Sequence, residues 1–248
     1  MLVASELVLS GLVIGLMLGV LGGGGAIFTA PLLVYVFDVE PLTATTVSLV
    51  VVLLAASSGL VSHARAHRVR WRDGRLFGLV GTVGAAAGSV LAGWLPERAL
   101  MGGFAVLLLA AAYAMWRPPV RSPGQSHRSR WPAVVATALL VGLVTGVFGV
   151  GGGFVIVPAL VLVLGFSMPA AAATGLLVIG VNALAALAVR GPAYLDWDLA
   201  LPMAAGAVVG SAVGSQLSRR FQAVQLQRGF AALMVATAAF VAVQVGVA

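Results

Sequence analysis

Between Arg130 and Arg190 the chain runs for 59 residues without a formal charge, and between Glu6 and Asp38 for another 31. A water-soluble domain cannot cover its surface with so little polarity. Across the whole chain, 61% of residues are hydrophobic and 8% are charged, and mean hydropathy is +1.10. The solvent for most of this protein is therefore lipid. A disordered chain is excluded by the same arithmetic.

Further charge-free runs cover residues 41–64, 76–96, 99–116, 199–218 and 229–248. With the stretch from Pro169 to Val189, that makes six segments of the length one membrane-crossing helix needs, about 20 residues. The 31-residue run fits less simply. As one helix it would extend about 46 Å, against a hydrocarbon core of about 30 Å. Its centre is Gly22-Gly23-Gly24-Gly25, followed by Pro31. The stretch from about Pro132 to Leu164 has the same design, with Gly149, Gly151, Gly152, Gly153 and then Pro158. Glycine disfavours a helix interior by about 1 kcal/mol per residue relative to alanine. Each of these segments is expected to be two half-helices meeting at a glycine break. The second half-helices are expected at about Ala26–Phe37 and Phe154–Leu164.

The two segments belong to an internal repeat. Gly19-Val20-Leu21-Gly22 aligns with Gly146-Val147-Phe148-Gly149, Pro31 with Pro158, Pro41 to Thr46 with Pro169 to Thr174, and Trp71 with Trp197. The expected organisation is a first repeat at 1–116, a basic cytoplasmic linker at 117–131 and a second repeat at 132–248. All 14 basic residues are Arg. A re-entrant hairpin at each glycine break would give each half three crossings and invert one half relative to the other. Twelve Arg then fall on one side and two on the other, and six of the seven acidic residues fall opposite the twelve. Eight full crossings separate the charges less well, so the positive-inside rule favours inversion. The fold expected is all-α and polytopic. It has two inverted repeats, each a glycine-broken re-entrant or discontinuous helix plus three transmembrane helices. Both termini are expected outside. Met1 to Leu21 does not read as a signal peptide, because Glu6 stands where a basic residue would be needed.

No cysteine is present, and His63, His67 and His127 lie in or beside Arg-rich stretches. These histidines are expected in loops at the membrane surface. Neither a metal site, a cofactor nor a catalytic residue is indicated, and no carboxylate or Arg falls at the expected midplane. The chemistry left is backbone. A glycine break frees N–H groups where the next half-helix begins, and those groups, with the helix dipole, attract an anion. The candidate substrate-binding residues are Gly22, Gly23, Gly24, Gly25, Gly149, Gly151, Gly152 and Gly153. To these are added Thr46, Ser48, Thr174 and Asn182 on the following spans. Gly84-x-x-x-Gly88 and Gly206-x-x-x-Gly210-x-x-x-Gly214 are expected to pack helices.

The doubled motif, Gly19-x-x-Gly22-x-Gly24-Gly25 with Pro31 and Gly146-x-x-Gly149-x-Gly151-Gly152 with Pro158, resembles the sulfite exporter TauE/SafE family over nearly the whole chain. Asn182 and Trp197-Asp198 fit that pattern, while Leu54 stands where a first-half Asn would align. The resemblance implies an inner-membrane permease of bacterial type for sulfite, sulfonates or related organic anions. The expected partners are a small anionic substrate and the lipid bilayer, not nucleic acid; a homodimer is left open. A passive anion channel and a non-transporting membrane assembly protein are the competing readings. An enzyme is not expected.

Overall fold

A computed structural model describes residues 2–92, 94, 97–116, 131–148, 153–190 and 195–247. Ten helices make up the described chain: α1 (Leu2–Leu21), α2 (Ala26–Tyr35), α3 (Pro41–Arg65), α4 (Trp71–Ala92), α5 (Glu97–Trp116), α6 (Trp131–Phe148), α7 (Gly153–Leu162), α8 (Met168–Arg190), α9 (Trp197–Leu217) and α10 (Ala223–Val247). Six stretches within them are long and apolar enough to cross a bilayer: Ala4–Leu21, Pro41–Arg65, Trp71–Leu91, Met168–Val189, Trp197–Leu217 and Ala223–Phe240. Large apolar side chains face outward, Leu79 at 66% exposure and Leu140 at 65% among them, as a lipid-facing surface favours. All five tryptophans, Trp71, Trp94, Trp116, Trp131 and Trp197, are exposed. Each lies at or just beyond a helix end, where the aromatic belt of a membrane protein falls.

Local chemistry sets the helix ends. Pro41 sits in the first turn of α3, where its missing N–H costs nothing. The Asp196 side chain caps α9 by accepting from the N–H groups of Asp198 and Leu199 at 2.9 and 3.4 Å. The short helices α2 and α7 end in the same way. The N–H of Val39 donates to the Leu33 carbonyl at 3.0 Å, and that of Phe166 to the Leu160 carbonyl at 2.9 Å. The residue before each donor, Asp38 or Gly165, is left-handed, with φ of 51° and 68°. These are matching ends at matching repeat positions, each closed by a left-handed residue and a bond back to a carbonyl six residues earlier.

The first arms of the two broken segments are longer than half-helices: α1 has 20 residues and α6 has 18. Glu6 does not bound α1. It stays exposed within the helix, so α1 starts five residues before the apolar run does. Only α2 and α7, ten residues each, have the expected half-length. Conversely, the apolar described part of α5, Gly102–Trp116, and of α6, Trp131–Val147, fall in the shorter class.

The halves exchange partners. On α1, Cβ atoms at Gly11, Gly15 and Gly19 would run into the carbonyls of Met203, Ala207 and Ser211. On α9, Gly206, Gly210 and Gly214 are pressed in turn against the carbonyls of Val8, Leu12 and Leu16. Second-half α6 lies on first-half α4 in the same manner. Gly142 and Gly146 meet the carbonyls of Gly81 and Ala85, and Gly84 and Gly88 meet those of Leu139 and Leu143. In both pairs the register advances the same way along both helices, so α1 runs parallel to α9 and α6 parallel to α4. Small residues permit this backbone contact, as in other membrane helix pairs. By the same criterion α3 runs parallel to α9, through Ser58 with the Val208 carbonyl and Arg219 with the Ser62 carbonyl. Helix α4 likewise runs parallel to α8, through Gly74 with Thr174, Gly78 with Val181 and Thr82 with Asn182. Both α1 and α3 therefore run in the same direction as α9. Gly25 packs on Ile14 and Leu18, so α2 folds back along α1.

Candidate functional site

The first break meets the start of α7. A Cβ on Gly23 would lie 2.6 Å from the Gly153 carbonyl oxygen, and one on Gly153 would lie 2.5 Å from the Gly23 carbonyl oxygen. Gly22 is left-handed, with φ of 76°, a conformation only glycine adopts freely. It rests on the Ala172 backbone, and its carbonyl oxygen would be 2.9 Å from a Cβ at Gly175. Helix α8 therefore closes one wall. Gly24 faces the side chain of Leu233 on α10. Gly22 to Gly25 and Gly153 are all buried. Gly149, Gly151 and Gly152 lie outside the described residues. Phe104 and Phe154 pack edge to face at 5.1 Å beside the start of α7, and Ile179 reaches Gly153 from α8.

Helix α2 begins at this junction without a side-chain cap on its N-terminal residue, Gly25. The opening N–H groups of a helix have no intrahelical acceptor. Thr29, in the first turns of α2, is fully buried, and its hydroxyl has no hydrogen-bond partner. An unpartnered buried hydroxyl is costly, by about 1–3 kcal/mol, unless something arrives to bond it. Sequence reading did not select Thr29, because Ile156 stands at the matching second-half position and the repeat hides it.

The polar residues chosen from sequence are placed unequally. Thr46 is buried and donates to the Leu42 carbonyl at 2.8 Å, and Ser48 donates to the Thr45 carbonyl at 2.8 Å. Both bond within their own helix. Thr174 is buried and accepts from the Arg70 backbone N–H at 3.2 Å, which ties α8 to the start of α4. Asn182 is half-buried and accepts from the Thr82 hydroxyl at 3.3 Å. It lies one turn beyond Ile179, the α8 residue that touches Gly153.

His63 is not a surface loop residue. It lies in the last turn of α3, 1% exposed, with Nε2 3.3 Å from the Gly19 carbonyl oxygen. The helix runs past the apolar stretch to Arg65, and His63 follows Gly59 by one turn on the face that meets α1 and α9. His67 is exposed in the following turn with φ of 53°, and His127 lies outside the described residues. Three other features cluster near His63. Ser211 Oγ and Arg68 Nη1 are buried without partners. A cavity of about 670 Å³ opens at the ends of α3 and α9, lined by Ser62, Arg65, Gln216, Arg219 and Arg220. Among the described residues no cluster of His, Asp and Glu is fit to hold a metal.

A family model described as "Sulfite exporter TauE/SafE" matches residues 7–241. A "Probable membrane transporter protein" of Xylella fastidiosa strain 9a5c is 35% identical over 240 residues, covering 94% of this chain and 92% of the relative. "Probable membrane transporter protein YunE" of Bacillus subtilis is 24% identical, covering 87% and 89%. "Probable membrane transporter protein MJ0441" of Methanocaldococcus jannaschii is 24% identical over 162 residues, covering 63% and 61%. No solved structure matches the chain. With the family model matching residues 7–241 and six apolar spans among the described residues, the chain belongs to the sulfite exporter TauE/SafE family and is a multi-pass protein of the cell membrane.

Proposed function

We propose that this protein is a permease for small anions of the sulfite and sulfonate class, and not an enzyme, with the anion held where the two glycine breaks meet. One observation carries the reading. A buried, uncapped helix start at Gly25 touches the other break through Gly23 and Gly153, with the unpartnered Thr29 hydroxyl alongside. An anion in hydrocarbon costs many kcal/mol unless donors meet it, and a helix N-terminus supplies N–H groups and a positive dipole end. The family description names sulfite, which supports that class of anion. The same reading takes residues 1–116 and 132–248 as inverted repeats joined by a cytoplasmic linker at 117–131. The parallel pairs α1 with α9 and α4 with α6, one helix from each half, support it. So does the distribution of Arg, with Arg65, Arg68, Arg70, Arg219 and Arg220 at one end.

The test is counterflow in proteoliposomes. Vesicles preloaded with unlabelled anion are given trace ³⁵S-labelled sulfite, methanesulfonate or isethionate outside. A transporter accumulates label transiently above equilibrium, and flux saturates with concentration. A channel gives no overshoot. Absence of protein-dependent flux for every anion would remove the reading.

A further inference from the structure

We propose that His63 is a proton-binding site that couples proton movement to anion movement. This inference rests on the permease reading above. His63 is the one buried histidine or carboxylate side chain among the described residues. Histidine is also the side chain whose charge changes most readily between about pH 5 and 8. Its position is specific. Nε2 bonds the carbonyl of Gly19, one turn before the left-handed Gly22 that opens the first break. With the Nε2–H donating to Gly19, Nδ1 is a bare acceptor. It is buried and has no partner.

The surroundings decide what protonation does. From α1 the nearest backbone is Gly19, which carries no charge. From α9 come Ser211 and Ser215, which meet Gly19. From α8, Leu176 reaches Gly59, one turn below. Among the described residues every nearby charged group is cationic. Arg219 bonds the Ser62 carbonyl, Arg68 bonds the His63 carbonyl through its backbone N–H, and Arg65 and Arg220 line the adjoining cavity. The closest acidic residue in sequence, Asp73, pairs with Arg70 at 3.8 Å. Among the described residues an imidazolium at this place has no carboxylate counter-charge, only the carbonyl end of α1. Its missing counter-charge is supplied when an anion enters the break. Linkage is reciprocal. An anion in the break favours the proton on His63, and the proton on His63 favours the anion. The proton leaves hydronium at the arginine-lined cavity and binds Nδ1 as the anion binds, and it passes to water on the opposite face when the anion leaves there. The O–H bond of hydronium and the N–H bond of Nδ1 are the only bonds exchanged.

The test uses the purified protein in vesicles with trapped pyranine, a fluorescent pH dye. Methanesulfonate and isethionate are the probes, since strong-acid sulfonates carry no proton themselves. A gradient of either anion is expected to move protons in the same direction. His63→Gln keeps an amide donor for Gly19 but cannot hold the extra proton. It is expected to lower proton movement at least tenfold while anion exchange, measured at saturating anion, stays within about threefold. Proton movement retained in His63→Gln overturns the proposal, and so does anion flux without proton movement in the unaltered protein. A lack of any flux removes the permease reading and this proposal together. A second measurement covers the case in which His63→Gln does not fold. In a His67→Gln/His127→Gln variant, His63 is the remaining histidine, and its ¹⁵N resonances report protonation directly. Saturating methanesulfonate is expected to raise the protonated fraction at fixed pH, and an unchanged fraction overturns the proposal.

Discussion

Replacing Gly23 by Ala tests the contact between the breaks at a single methyl group. The new Cβ would lie 2.6 Å from the Gly153 carbonyl oxygen, whereas ordinary contact begins near 3.4 Å, so the breaks must part by about 0.8 Å. The obstacle is backbone on both sides, so no side-chain rotation relieves it. Overpacking of this kind costs about 1–3 kcal/mol of stability. A displacement near 1 Å in a preorganised site costs up to about a hundredfold. Gly23→Ala is therefore expected to weaken anion binding about 10- to 100-fold in protein that still inserts and purifies. Two controls set the scale. Gly102→Ala and Gly180→Ala meet nothing within 4 Å and should bind as the unaltered protein does, with stability unchanged or raised by up to about 1 kcal/mol. The assay is equilibrium binding of ³⁵S-labelled sulfite to detergent-purified variants, alongside thermal unfolding. Gly23→Ala with unaltered affinity would refute the reasoning, because the breaks would then tolerate separation that the site should not.

Thr29→Val removes a buried hydroxyl that has no partner, so thermal stability should hold or rise by about 1 kcal/mol, while anion affinity falls about tenfold in the same binding assay. Gly210→Ala drives a methyl into the Leu12 carbonyl between α1 and α9. It should lower thermal stability by about 1–3 kcal/mol and leave the affinity of the folded fraction within about threefold. Single cysteines at Ser5, Ser122 and Ala248 should label from outside, inside and outside in intact cells. Labelling of Ser122 and Ala248 from the same side would contradict inversion.

The parts of the fold set by local chemistry are those the amino-acid order reveals. Four glycines with a downstream proline locate the first break, and the half-helices read at about Ala26–Phe37 and Phe154–Leu164 are found at Ala26–Tyr35 and Gly153–Leu162. Helix lengths that depend on an interfacial charge are less legible. Glu6 looks like a boundary by its charge, but it sits exposed inside α1, where a carboxylate can reach water. The glycine spacing at 206, 210 and 214 announces a close partner without naming it. That α9 takes α1 from the other half is a property of the assembled bundle. His63 was hidden for the same reason. Beside Arg65 and Arg68 it reads as a surface residue, and only the close approach of α1 through Gly19 buries it. Thr29 shows the reverse limit. Its hydroxyl is visible in the sequence, but its lack of a partner is not.

The most direct measurement is the position of a bound anion. Selenite has the geometry of sulfite and scatters X-rays anomalously at the selenium edge. In crystals of the protein grown with selenite, an anomalous peak is expected between Gly22–Gly25 and the start of α7 at Gly153, within hydrogen-bond reach of the first N–H groups of α2 and the Thr29 hydroxyl. A peak confined to the cavity lined by Arg65, Arg219 and Arg220, with nothing at the glycine junction, would contradict the account.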